Sequence, residues 1–301
     1  MWRENSNEPL QIFRLNTITY GTAPAPFLAI RCLKMLGDLN ENVYSMGANV
    51  IRTDFYVDDL LTGADNIEDL LQIYSEVNLI LKSAGSCLAK WYSNHPKFAL
   101  DDRAEKALQF NSSEATKTLG MIWLPKEDQF KFNLDPDFLH LKATKRNILS
   151  VAARLFDPLG LLSPLVTKAK ILLQELWIQK LDWDESIPLS LDTCWENFKQ
   201  NLLKLDQISI PRHVFTSANC SIQIHGFADA SMRAYGCCLY VRSVTPECVK
   251  TTLLTAKSKV SPLKTKTLPR LELCAAHLLA KLWKVPMMNP QIDKIVFWTD
   301  S

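Results

Sequence analysis

The chain has eight cysteines in 301 residues but no Cys-x2-Cys pair, so neither a zinc site nor a disulfide framework is expected. Their sequence neighbours suggest buried strand or helix positions. Long apolar runs are also scarce. The most apolar stretch, Leu155 to Trp177, is broken by Asp157, Pro158, Pro164, Lys168 and Lys170, and Met1 to Asn5 opens no apolar signal core. A soluble chain in a reducing compartment, with no membrane partner, is the expectation. Charge of one sign is not in excess either: 34 basic against 32 acidic residues leave +2, and that total alone points to no polyanionic partner. Asp-Thr-Gly and Asp-Ser-Gly are absent, with Asp192-Thr193-Cys194 and Asp300-Ser301 coming nearest, so an aspartic peptidase is the weakest alternative. His95, His140, His213, His225 and His277 sit in no recognisable triad motif, which leaves acyl-transfer chemistry without support. No internal repeat or low-complexity tract occurs.

What is present is enough hydrophobic sequence, 47% of the chain, for two or three compact units. Positive charge is concentrated locally. Phe138 to Phe156 carries Lys142, Lys145, Arg146 and Arg154 with no acid, and Cys248 to Leu271 carries Lys250, Lys257, Lys259, Lys264, Lys266 and Arg270 with none. Either window read alone is as readily an ordinary solvated basic face; beside the motifs below, both are expected to face phosphate. Tyr56-Val57-Asp58-Asp59 ends a run in which Ile51, Thr53, Phe55 and Val57 alternate with Arg52, Asp54 and Tyr56. That pattern predicts a half-buried strand delivering two acids at a turn, with Leu60-Leu61-Thr62 returning as its partner. Adjacent carboxylates suit hard divalent cations, although a bare Asp-Asp pair is more often an ordinary acidic turn.

Helical spacing follows at Ile67, Leu70, Leu71, Tyr74, Val77 and Leu81, with Asp65 and Glu68 as start signals and Gly85 as the stop. Further helices are predicted over Leu141 to Phe156, Val166 to Lys180 and Leu191 to Leu205, and Trp177, Trp183, Trp195 and Phe198 read as their core. A third region opens near Ser221. It is expected to hold strands over Ser221 to Ser231, Gly236 to Arg242 and Val249 to Ala256, a helix opened by Thr267 and Pro269, and a strand Ile295 to Trp298.

Phe55 to Gly63, Phe-Tyr-Val-Asp-Asp-Leu-Leu-Thr-Gly, resembles the catalytic hairpin of reverse transcriptases. Thr19 to Phe27 is similar to their Gly-x4-Pro segment, here Gly21 to Pro26, which opens a palm helix; Leu88 to Asn94 and Lys117 to Trp123 resemble the next two blocks. These blocks, with Arg154 to Pro164 and Leu268 to Leu273, resemble the Bel/Pao class of long-terminal-repeat retrotransposon polyproteins from about Trp2 to Ser301. Domain catalogues also attach a Pao peptidase label to this region. The resemblance implies a multidomain α+β and α/β chain: a partial reverse-transcriptase palm (1–125), a mainly helical thumb or connection region (126–218) and the N-terminal part of a ribonuclease H-like domain (219–301). It implies catalytic and metal roles for Asp58, Asp59, Asp229, Glu272 and Asp300, and substrate contacts from Tyr56, Gly21, Pro26, Lys90, Leu119 and Gly120. Mg²⁺, with Mn²⁺ as a substitute, is the implied cofactor. The implied partners are an RNA–DNA hybrid or primer–template duplex and the remaining portions of the parent polyprotein, in the cytoplasm within virus-like particles or in the nucleus.

Measured against that family, one strand aspartate is missing before Gly21: Asp38 falls in a helical stretch and Asp54 in the Asp58 run. The ribonuclease H acids also stop at Asp300, and Tyr20 stands where many retroviral enzymes have Gln. The expectation is therefore a Pol fragment inactive as it stands, with a non-catalytic, domesticated nucleic-acid-binding remnant as the alternative.

Overall fold

The computed structural model describes residues 21–89, 91–96, 108–109, 122–132, 136–155, 157–214, 220–284 and 292–300, with 7, 9, 12, 14 and 17–19 nearer the start. The chain divides into two compact units, Met1–Asp101 and Asp102–Ser301.

In the first unit, helices α1 (Ala25–Asn40) and α2 (Ser45–Thr53) precede a short hairpin of β1 (Phe55–Tyr56) and β2 (Asp59–Leu60), then helix α3 (Ile67–Ser83). Pro24 caps α1 and Pro26 lies in its first turn, where a fixed φ suits a helix and no amide partner is lost. The strand expected from Asn49 shrinks to two residues, because positions up to Thr53 are helical. Ala48 and Ile51 are buried with Val77, Ile80 and Leu81, and i, i+3 spacing puts the first pair on one helical face. In so short a run, packing against α3 overrides the alternation. Gly47 makes that approach possible, since a Cβ there would press on Glu76 and the Val77 amide. Asn66 caps α3, its side chain accepting from the Asp69 amide at 2.8 Å, so the start signal is Asn66 rather than its acidic neighbours.

Among the described residues the second unit contains two sheets and four α-helices. Strands β3 (Leu108–Gln109), β4 (Ile122–Leu124) and β5 (Gln129–Lys131) pair in order, and α4 (Lys145–Arg154), α5 (Ser163–Ile178) and α6 (Leu189–Leu202) follow. Strand β6 (Ser209–Pro211) then returns to β5. Trp195 and Phe198 stack within the helical core with Ile148, Val151, Leu172 and Leu176. Trp177 and Trp183, expected in that core, are 51% and 42% exposed. They pack edge to face beside Lys145, whose ammonium lies 3.4 Å from the Trp177 ring centre. Of the eight cysteines only Cys237 is buried, which corrects the expectation for the rest.

Strands β7 (Ser221–Ala230), β8 (Ala234–Val244) and β9 (Val249–Val260), helix α7 (Leu268–Trp283) and β10 (Lys294–Thr299) complete the unit. The sheet order is β10-β7-β8-β9, antiparallel except where β10 runs parallel to β7. Ile222, Ile224 and Ala228 on β7 alternate onto one face with Cys237, Leu239 and Val241 on β8, and α7 covers them with Ala275, Leu278 and Leu279. The Asp157–Leu162 turn clips the other edge: Leu159 carbonyl accepts from the Ala256 amide at 2.9 Å and from Thr255 Oγ1 at 2.7 Å. Helix α5 adds Thr167 to Ser258 and Gln174 to the Ser261 carbonyl. No helix among the described residues is long and apolar enough to cross a membrane.

Candidate functional site

Asp58 is exposed and Asp59 half-buried at the tip of the β1–β2 hairpin, where Tyr56 pairs with Asp59 across a turn of Val57 and Asp58. Val57 takes φ +60°, a left-handed conformation costly for a β-branched side chain and typical of the primed turns that close two-residue hairpins. Tyr56 is exposed, as are Gly21 and Pro26 at the start of α1. Lys90, Leu119 and Gly120 lie outside the described residues.

Of the other three acids, Asp229 and Asp300 lie at one end of the four-stranded sheet. Asp229 follows Ala228, which pairs with Thr299, and Asp300 follows Thr299, so these two acids occupy neighbouring register positions on strands about 4.8 Å apart. Helix α7 opens at the same end. Its first turn carries no acid, and Glu272 is its fifth residue rather than a first-turn residue. Asp229 and Asp300 are exposed and Glu272 is half-buried. The Asp229 carboxylate turns onto its own backbone, accepting from the Ala230 amide at 2.6 Å. Among the described residues no three His, Cys, Asp or Glu side chains gather closely enough to hold a metal ion.

Behind Asp229, the sheet face opposite α7 carries an aromatic group that sequence reasoning missed. Phe227 stacks on Trp298 at 6.3 Å and meets Tyr240 edge-on at 5.9 Å, and Trp298 Nε1 donates to His225 Nδ1 at 3.2 Å. The signal was available, because Gln223, His225, Phe227 and Asp229 alternate with the buried positions of β7.

The two basic windows part company. On α4, Lys145 is only 4% exposed and donates to the Leu181 carbonyl at 3.1 Å. Arg146 makes two bonds to Asp184, at 2.7 and 2.9 Å, and Arg154 bonds Asp137 at 2.6 Å. Among the described residues of this window only Lys142, ahead of the helix, keeps an exposed charge outside any ion pair, which corrects the expectation of a phosphate-facing α4. In the β9–α7 window, Lys257, Lys259, Lys264 and Arg270 are exposed and enter no ion pair among the described residues.

Among solved structures, the chain is similar to a foamy viral protease–reverse transcriptase (dRH) in complex with double-stranded DNA, at 13% identity and a TM-score of 0.43. The match covers 87% of this chain and 48% of the other, so this chain spans about half its length; at that distance the likeness carries nothing over. No curated protein matches. The family model for the Pao retrotransposon-like RNaseH-like domain matches residues 144–301, from the cap of α4 through the sheet acids. That is just over half of the sequence, and the chain belongs to this family.

Proposed function

We propose that this chain is part of a retroelement Pol polyprotein that binds duplex nucleic acid, and that its parent acts as an RNA-directed DNA polymerase with ribonuclease H. The observation that carries this reading is the β10-β7-β8-β9 sheet with α7 crossing it, which places Asp229 and Asp300 side by side at parallel strand ends. The Asp58–Asp59 hairpin, preceded by the proline-opened α1, supports the polymerase half. The division into palm (1–125), connection (126–218) and ribonuclease H part (219–301) belongs to the same reading.

The donors of both acid groups are carboxylate oxygens, which suit Mg²⁺ or Mn²⁺. In the sheet site the arrangement does not fit an ion as it stands, because among the described residues the three acids do not gather closely enough to share one and Asp229 is held by its own backbone. That geometry favours a second reading, a nucleic-acid-binding remnant without catalysis. The chain's own residues then bind and orient a duplex with the free lysines of the β9–α7 window, beside acids that keep phosphates from closing onto the sheet end.

Purified chain is expected to bind an RNA–DNA hybrid weakly and in a salt-sensitive way, to extend no primer and to cut little or no RNA with Mg²⁺ or Mn²⁺. Robust synthesis abolished by Asp58→Asn, or cleavage abolished by Asp229→Asn, would establish the catalytic reading over the remnant. Failure to bind any hybrid at low salt would remove both. Water-proton relaxation during a Mn²⁺ titration, compared between wild type and Asp229→Asn, reports on ion binding without relying on activity.

A further inference from the structure

The β9 strand ends in a basic segment that makes no ion pair among the described residues. Lys257 and Lys259 are exposed at i and i+2, so both side chains leave the same face of the strand. That face is the one α7 covers: Lys257 pairs with Cys237, whose side chain is in the core beneath α7, and Lys259 pairs with Tyr235. Burial pushes the Cys237 thiol up to about 11, and the Lys257 charge is near enough to pull against it. Lys264 follows in the connection to α7, and Arg270 is exposed in the first turn of that helix.

Among the described residues none enters an ion pair with them. The window from Cys248 to Leu271 holds no acid, and the first turn of α7 has neither an acid nor a side-chain cap, so its positive dipole end adds to the lysines. Register fixes the backbone separation from Asp229. Asp229 pairs with Gly236, and Gly236 with Ser258, the residue between Lys257 and Lys259; two strand spacings put those backbones about 10 Å apart, with the Asp229 side chain on the opposite face from the two lysines and Asp300 one strand further. The alternative purpose of lysines on an edge strand is to block pairing with another sheet. Here the Asp157–Leu162 turn occupies the edge at Thr255 and Ala256, and α5 reaches the residues on either side of Lys259 through Thr167 to Ser258 and Gln174 to the Ser261 carbonyl, so that edge is already engaged.

We infer that Lys257, Lys259 and Lys264 form a phosphate track along the β9–α7 side of the sheet, holding one backbone of a nucleic-acid duplex at the end that carries Asp229 and Asp300, while α4 contributes nothing. The track rests on the duplex-binding reading above and specifies which surface performs it. Each phosphate contact adds about 0.9 to the slope of log affinity against log salt.

The test is binding of the full chain to a labelled RNA–DNA hybrid over a KCl series. Lys257→Gln/Lys259→Gln/Lys264→Gln is compared with Lys126→Gln/Lys180→Gln/Lys204→Gln, which removes the same charge from exposed positions elsewhere. The track variant is expected to lose about 2–3 of slope and the control to keep nearly all of it. Lys264→Gln alone, outside any strand, is expected to lose about 0.9 and keeps the test open should the triple variant unfold. Equal losses in both triple variants would reduce the effect to net charge and overturn the track. An unchanged slope accompanied by self-association of the track variant would make the lysines edge guards and also overturn it. If wild type binds and only the track variant fails to differ, this inference falls alone; if wild type does not bind, the duplex-binding reading falls with it.

Discussion

At Gly160 the backbone takes φ +75°, and a Cβ there would overlap the Ala256 carbonyl. Two independent penalties therefore act on any substitution, the left-handed conformation and the lost approach to β9. Gly160→Ala is expected to destabilise the second unit by roughly 2–4 kcal/mol, measured by urea unfolding; a loss below about 0.5 kcal/mol would mean the clip is not held by that contact. Asp157, three residues earlier, accepts from the Leu162 amide at 2.7 Å through Oδ2, while its buried Oδ1 has no hydrogen-bond partner among the described residues. Burial raises its carboxyl above the ordinary 3.8, against the bonds it accepts from the turn. A folded pKa above the unfolded one means that the folded state holds the proton more tightly. Its contribution to stability is fully present below the ordinary value and is lost as pH rises through the raised one. Asp157→Asn keeps an oxygen for the Leu162 amide and does not titrate. The stability of wild type relative to Asp157→Asn should therefore fall as pH rises from 3.8, and parallel pH profiles would contradict the assignment.

At the scale of elements, α2 shows a helix start capped from outside. Tyr44 makes no side-chain cap. Instead Glu76 on α3 accepts from the Gly47 amide at 2.7 Å and is itself held by Gln72 at 2.7 Å, in a largely buried position. A carboxylate at a helix N-terminus gains from both the free amides and the dipole. Glu76→Ala is expected to cost about 1.5–3 kcal/mol, with Glu76→Gln recovering part of it, both read by thermal unfolding; equal losses would indicate that packing rather than the bond matters. This cap also explains why the run before Asp58 misled a sequence reading. Residues Ala48 to Phe55 satisfy both a two-residue and a 3.6-residue period, and a partner 29 positions away decides between them. The α4–α6 helices and the β7–β10 strands were legible because each is long enough for one period to dominate.

For the second unit as a whole, the helical part and the four-stranded sheet are bound by the Leu159 clip, the Thr167–Ser258 and Gln174–Ser261 bonds and the Arg233–Glu175 ion pair. The family match begins at Thr144 and so spans both parts. Native-state hydrogen exchange should show the core amides of α5 and of β8 opening with the same free energy and the same denaturant dependence. Separate isotherms would show that the helices and the sheet unfold independently. The sequence by itself determined the strand-helix-strand order, the acids at the sheet end and the hairpin that presents Asp58 and Asp59. These follow from local periodicity, turn residues and motif wording, which a chain carries wherever it is placed. Only the tertiary structure decided which cations are free. Lys145, Arg146 and Arg154 look as basic in sequence as Lys257, Lys259 and Lys264, but the first three meet Trp177, Asp184 and Asp137 on segments distant in the chain. A charge is available to a ligand only if no internal partner reaches it first, and that depends on contacts between residues far apart in sequence.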